Sequence, residues 1–145
     1  MAQDAIALLE SDHHRVEELV REFKSLRDPQ AKLHLAQVIC AELTLHAMVE
    51  EEIFYPAFAK ATGDEQIVEH ALKEHQEVKD LIARVLSAEN VDGAIEAIWR
   101  HVEHHVEEER RGMFAKAKAS GMELATLGGR IQTRRAEVAT TVHEA

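Results

Sequence analysis

A chain of 145 residues is one domain's worth, long enough to bury a real core. Its 27 acidic and 17 basic residues give a formal net charge of −10, which excludes a nucleic-acid partner because a phosphate surface would repel it. No apolar run approaches the ~20 residues that cross a bilayer, and the single Cys40 permits no internal disulfide, so a cytoplasmic protein is expected.

Aromatics make up 4% of the chain, with two prolines and six glycines, which leaves little strand material and much that forms helix. Three breaks divide it: Asp28-Pro29, Thr62-Gly63-Asp64, and Glu89-Asn90-Val91-Asp92-Gly93. Each combines a Gly or Pro with capping residues. The segments between them, about 4–27, 30–61, 64–88 and 93–119, are all of helical length, and a more polar fifth, about 122–143, follows Ser120-Gly121. Short connections between long helices require antiparallel neighbours. The expected fold is all-α: an up-down-up-down four-helix bundle over 1–120, with 121–145 as a helical tail packed on it. Pro56 lies inside the second segment and predicts a kink or an end near Tyr55.

Each main segment carries a seam at the 3-and-4 spacing of a core-facing helix. The first reads Ile6, Leu9, His13, Val16, Val20, Phe23, and the second Leu33, Ala36, Cys40, Leu43, His46, Glu50, Ile53. The third reads Val68, Ala71, Leu72, His75, Val78, Ile82, Val85, and the fourth Ile95, Ile98, His101, His105, Glu109, Met113. Every seam is apolar except at one level, where each helix offers a histidine. Residues four apart stack one turn above the other, so His46–Glu50 and His105–Glu109 are paired donors. Six unpaired ionisable groups buried at one level would cancel the ~5–15 kcal/mol net stability of a domain. Two divalent or trivalent ions would compensate, since imidazole and carboxylate are their ligands.

The other histidines take an ordinary reading. His14 and His104 are rotated about 100° to the helix flanks, His34 and His143 face solvent, and His70 lies off the face of His75. His101 stacks one turn before His105, as a further ligand, a hydrogen-bond partner to one, or simply a core histidine. A seventh ligand is left open between His101, His70 and water. A ferritin-type site, which needs E-x-x-H on two helices, is matched once, at Glu10-x-x-His13.

Four stretches carry a family resemblance: Leu8-Leu9-Glu10-Ser11-Asp12-His13, His46-Ala47-Met48-Val49-Glu50-Glu51-Glu52-Ile53-Phe54-Tyr55-Pro56, Glu74-His75-Gln76-Glu77-Val78-Lys79, and His104-His105-Val106-Glu107-Glu108-Glu109 leading to Met113-Phe114. With them the chain resembles the hemerythrin-like family, also called the HHE cation-binding domain. The resemblance implies two non-haem iron ions with His13, His46, His75 and His105 as terminal ligands. Glu50 and Glu109 would be bridging carboxylates beside an oxo or hydroxo bridge, leaving a place for O2, NO or peroxide. The implied role is sensing, scavenging or storage, by a monomer or weak homo-oligomer. Peroxidase or catalase-like turnover, or a metal-binding module without a redox role, are the alternatives.

Two departures count against reversible O2 carriage. The oxygen-carrying branch has a second histidine four residues before the one matching His75, where this chain has Ala71, and it spaces the histidine and carboxylate of the fourth helix by five rather than four. No chemistry is assigned to Arg130, Arg134 and Arg135 of the tail.

Overall fold

The computed structural model describes residues 3–85 and 87–144, side chains of 140–144 excepted, so the expected exposure of His143 lies outside the described residues. The helices start where the sequence places caps. Asp4 accepts a hydrogen bond from Ala7 N (2.8 Å) at the head of α1 (Ala5–Ser25). Asp28 accepts from Ala31 N (2.9 Å) at the head of α2 (Pro29–Val49), where Pro29 takes the first position and needs no N–H. A π-helical turn (Glu50–Phe54) joins α2 directly to α3 (Tyr55–Thr62), which closes on Gly63 at φ 71°. Asp64 accepts from Ile67 N ahead of α4 (Glu65–Val85), and Asn90 from Gly93 N ahead of α5 (Val91–Glu108). A second π turn (Glu109–Phe114) leads into α6 (Ala115–Ala119), and α7 (Leu124–Glu144) completes the chain.

Helix α1 packs on α2 and α4 on α5, and contacts of α1 with α5 and of α2 with α4 close the four-sided bundle. The second helix of the bundle is α2, the first π turn and α3 in succession; the fourth is α5, the second π turn and α6. No strand occurs among the described residues, and no helix there is long and apolar enough to cross a membrane. Pro56 does not end the second helix. Tyr55 N–H donates to the Glu50 carbonyl, five residues back, so the ladder widens just before the proline whose missing N–H would otherwise interrupt it.

Two apolar clusters fill the bundle. One contains Ala5, Leu9, Phe54, Phe58, Met113 and Ile131; the other contains Val16, Phe23, Ile39, Leu43, Ile95 and Ile98. Between them lies a polar level. The buried polar or charged residues among those described are His13, His46, Glu50, His75, His105 and Glu109. The seams hold with three corrections. Leu33 (37%) and Leu72 (39%) are exposed, and so is His101, because Val102 and Val106 take the inner face of α5 and leave His101 about a quarter turn off its middle.

The C-terminal helix lies on α1, α2 and the first π turn, burying Leu127 and Ile131 in the first cluster. Gly128 permits that approach: a Cβ there would lie 2.4 Å from Gln3 O and 3.0 Å from Asp4 C, both backbone atoms. Gly128→Ala is therefore expected to push α7 off α1 and cost about 1–3 kcal/mol, lowering the melting temperature by roughly 3–10 °C in thermal denaturation followed by circular dichroism.

Candidate metal centre

The six buried groups converge as two triads with ligand atoms within 4.8 Å of one another: His13, His46 and Glu109 in one, Glu50, His75 and His105 in the other. His13 Nε2 lies 3.2 Å from His46 Nε2, and His75 Nε2 lies 3.2 Å from His105 Nε2. The glutamates connect the triads. Glu50 Oε1 is 2.9 Å from His46 Nε2 and 3.2 Å from His75 Nε2. Glu109 places Oε1 3.4 Å from His13 Nε2 and Oε2 3.3 Å from His105 Nε2. Each of these glutamates opens a π turn, the helical irregularity that recurs at functional sites.

All four imidazoles are held from behind. Nδ1 of His13 bonds Glu10 (2.9 Å), that of His46 bonds Asp12 (2.7 Å), that of His75 bonds Glu51 (2.8 Å) and that of His105 bonds Glu74 (2.7 Å). A carboxylate on Nδ1 keeps the proton there and turns the Nε2 lone pair inward, the tautomer a metal ligand needs. Three of these carboxylates are themselves backed by fixed cations: Glu10 by Arg110, Asp12 by Arg135 of α7, and Glu51 by Lys79. Glu74 instead turns its second oxygen toward His70 (3.6 Å) and His104 (3.7 Å).

The inward side has the opposite character. Glu50 Oε2 and Glu109 Oε1 are buried without a hydrogen-bond partner, a costly arrangement unless a cation answers them. Within the protein alone the imidazoles take that part. Burial works against charge on His46, yet the Glu50 carboxylate and the hydrogen bonds to Asp12 and Glu50 outweigh it and push its pKa up to about 10. For His105 burial is likewise outweighed, by hydrogen bonds to Glu109 and Glu74 and by the charges of Glu109 and Glu50, and its pKa rises to about 11. Glu50 is held well below the usual carboxylate range: burial opposes this, and the His46 charge and hydrogen bonds from His46 and His75 prevail.

One further group enters the centre. The Tyr55 hydroxyl, buried and adjacent to Pro56, donates to Glu109 Oε2 (2.9 Å) and lies 3.1 Å from His75 Nε2, 3.4 Å from His105 Nε2 and 3.3 Å from Glu50 Oε1. Burial first, then the Glu50 and Glu109 carboxylates, raise its pKa well above the ordinary phenol value.

The six seam residues expected from the sequence are thus together. His101 is not with them: its Nδ1 faces Ala97 O (3.0 Å) on its own helix and its Nε2 faces Glu77 (3.8 Å). His70 is also outside, 2.8 Å from Glu108 at the surface. Sequence reasoning missed Tyr55 and the four outer carboxylates. A signal for three of them was present: Asp12, Glu51 and Glu74 each adjoin one of the six seam residues and serve the histidine of a different helix, while Glu10 serves His13 one turn along its own.

Fold and site define a helical bundle with a buried histidine–carboxylate site suited to metal. The chain belongs to the hemerythrin family: the model of the Hemerythrin HHE cation binding domain matches residues 4–117. It is 26% identical over 106 residues to an uncharacterized hemerythrin-like protein of Schizosaccharomyces pombe, an alignment covering 69% of this chain and 52% of that protein, so the chain spans about half the length of this curated relative. It shares its fold with the crystal structure of an HHE cation binding domain-containing protein of Mycobacterium kansasii, at a TM-score of 0.79 and 23% identity, over 93% of this chain and 86% of the other.

Two outcomes follow from the geometry. Asp12→Ala frees the back of His46 and is expected to weaken metal binding about 10–100-fold, read by competition with a chromophoric chelator. In protein stripped of metal, His46 and His105 have folded pKa values raised above their unfolded ones. Their stabilisation is therefore complete below about pH 6.5 and is lost as the pH rises through about 10 and 11. Urea unfolding of stripped protein should show stability declining across that alkaline window, with less decline once metal is bound.

Proposed function

We propose that this protein is a non-haem di-iron protein that handles O2, NO or peroxide. The carrying observation is that four imidazoles, each fixed by a carboxylate on Nδ1, aim Nε2 at one level where two glutamate oxygens have no partner. Four imidazoles and two carboxylates suit two ions of the iron class, and they overfill one closed tetrahedral zinc site. His13 and His46 would serve one ion and His75 and His105 the other, with Glu50 and Glu109 shared between them. Bound there, two irons would supply the electrons needed to bind or reduce a small oxidant.

The residues around the centre leave room for such an oxidant. On the side of the second cluster, Val16, Leu43, Val78, Ile82, Val102 and Val106 line an apolar cavity of about 40 Å³ that reaches all four ligand histidines. Such a volume admits a diatomic molecule or a peroxide on that side, since one water needs roughly 10–15 Å³ by the same kind of measure. Tyr55 occupies the neighbourhood of His75 and His105. It offers an oxygen donor to the ion on that side, where Ala71 stands in place of the histidine of the oxygen-carrying pattern. This difference supports sensing, scavenging or turnover over reversible carriage.

The test is anaerobic iron loading, metal analysis and exposure to O2, NO and peroxide in turn while the optical spectrum is followed. About two irons per chain and a spectral response to at least one of the three are expected; protein that takes up no iron would end the reading. Tyr55→Phe should keep the iron and lose any visible band arising from a phenolate on ferric iron. If that band is retained, Tyr55 is not a ligand.

A further inference from the structure

Of the four carboxylates that hold the histidines, Glu74 alone has no Arg or Lys behind it among the described residues. Its Oε1 holds His105 Nδ1 at 2.7 Å, and its Oε2 points outward to His70 Nε2 (3.6 Å) and His104 Nε2 (3.7 Å). Glu108 completes the group, with Oε2 2.8 Å from His70 Nε2 and Oε1 2.9 Å from His104 Nε2. His70, Glu74 and Glu108 bring one ligand atom each within 4.8 Å of one another. The cluster sits on adjacent turns of α4 and α5, at the rim of a cleft that runs inward past Ala71 to His105 and Glu109.

We propose that this cluster is a third metal site, one that takes a divalent cation of the Zn2+ or Fe2+ class. The spacing suits such an ion: bonds of about 2.0–2.1 Å in a tetrahedron set neighbouring ligand atoms roughly 3.3 Å apart. The donor set, imidazole and carboxylate together, suits borderline cations better than Ca2+ or Mg2+, which take oxygen alone. Plain imidazolium–carboxylate pairs would also bring His70 and His104 to Glu108. Glu74 adds a carboxylate whose inner oxygen is held by His105 and whose outer oxygen, 3.6 and 3.7 Å from the two rings, is within reach of an ion between them. A cation here does for Glu74 what Arg110, Arg135 and Lys79 do for the other three, fixing the carboxylate that orients His105. That role rests on the di-iron reading; the site itself does not. Its donors are partly or largely exposed, with Glu108 at 40% and His104 at 66%, so binding is weaker than at the buried centre.

The experiment titrates Co2+ into the full chain already loaded with iron, reading both calorimetric stoichiometry and the cobalt visible spectrum. The wild-type protein is expected to bind one further equivalent. The double variant His70→Ala/His104→Ala, surface changes that leave the buried ligands in place, is expected to lose it or to bind at least about tenfold more weakly. Circular dichroism and iron content check that the variant keeps its fold and centre. Absence of the further equivalent from wild-type protein overturns the proposal, as does an equivalent that persists unchanged in the double variant. If the buried centre takes no iron but a variant-sensitive cobalt equivalent is found, the surface site stands and the di-iron reading falls.

Discussion

Two carboxylates, Glu50 and Glu109, are buried between apolar clusters, and most of the remaining structure answers that constraint. A charged carboxylate without a partner in such surroundings costs several kcal/mol, so the bundle surrounds the pair with four imidazoles. Without metal, His46 and His105 answer the pair as cations; to ligate a metal, all four rings must keep their orientation and free the inner nitrogen of its proton. Outer carboxylates settle both matters by accepting from Nδ1, and fixed cations then anchor three of the carboxylates. Charge thus alternates outward from the middle of the bundle: glutamate, imidazole, carboxylate, then arginine or lysine.

That alternation ties distant parts of the chain to the centre. Arg135, on the C-terminal helix, reaches Asp12 and through it His46. Arg110, within the second π turn, reaches Glu10 and through it His13. The docking of α7 is therefore coupled to the orientation of His46, and Gly128 is the residue that lets α7 come close enough. The two π turns act more locally. Both begin at the shared glutamates, so the irregular backbone falls at the level where the bundle must turn polar groups inward.

Family membership accounts for the fold and for a cation-binding site, and the details of this chain narrow the chemistry. The likeness to the Mycobacterium kansasii protein is one of fold, at 23% identity. What bears on the proposed small-molecule chemistry comes from this chain's own residues: the phenol of Tyr55 among the buried histidines and glutamates, Ala71 where a further imidazole would reduce the space, and an apolar cavity against the histidines.

The helical breaks, the four-helix architecture and the six inward histidines and glutamates were all legible in the sequence. Caps and 3-and-4 spacing are local properties, and an ionisable residue on an otherwise apolar seam is conspicuous. His101 shows the limit of that periodicity: it stacks one turn before His105, but Val102 and Val106 compete for the same face and win it. Only the packed bundle decided which carboxylate backs which histidine, because three of the four pairings cross between helices. It also decided that Tyr55 enters the centre, since the π turn before Pro56 changes the direction of every side chain that follows. Local sequence determines which groups a helix presents inward; which of them meet depends on helix rotation and register, and those are set by the packing of all the helices together.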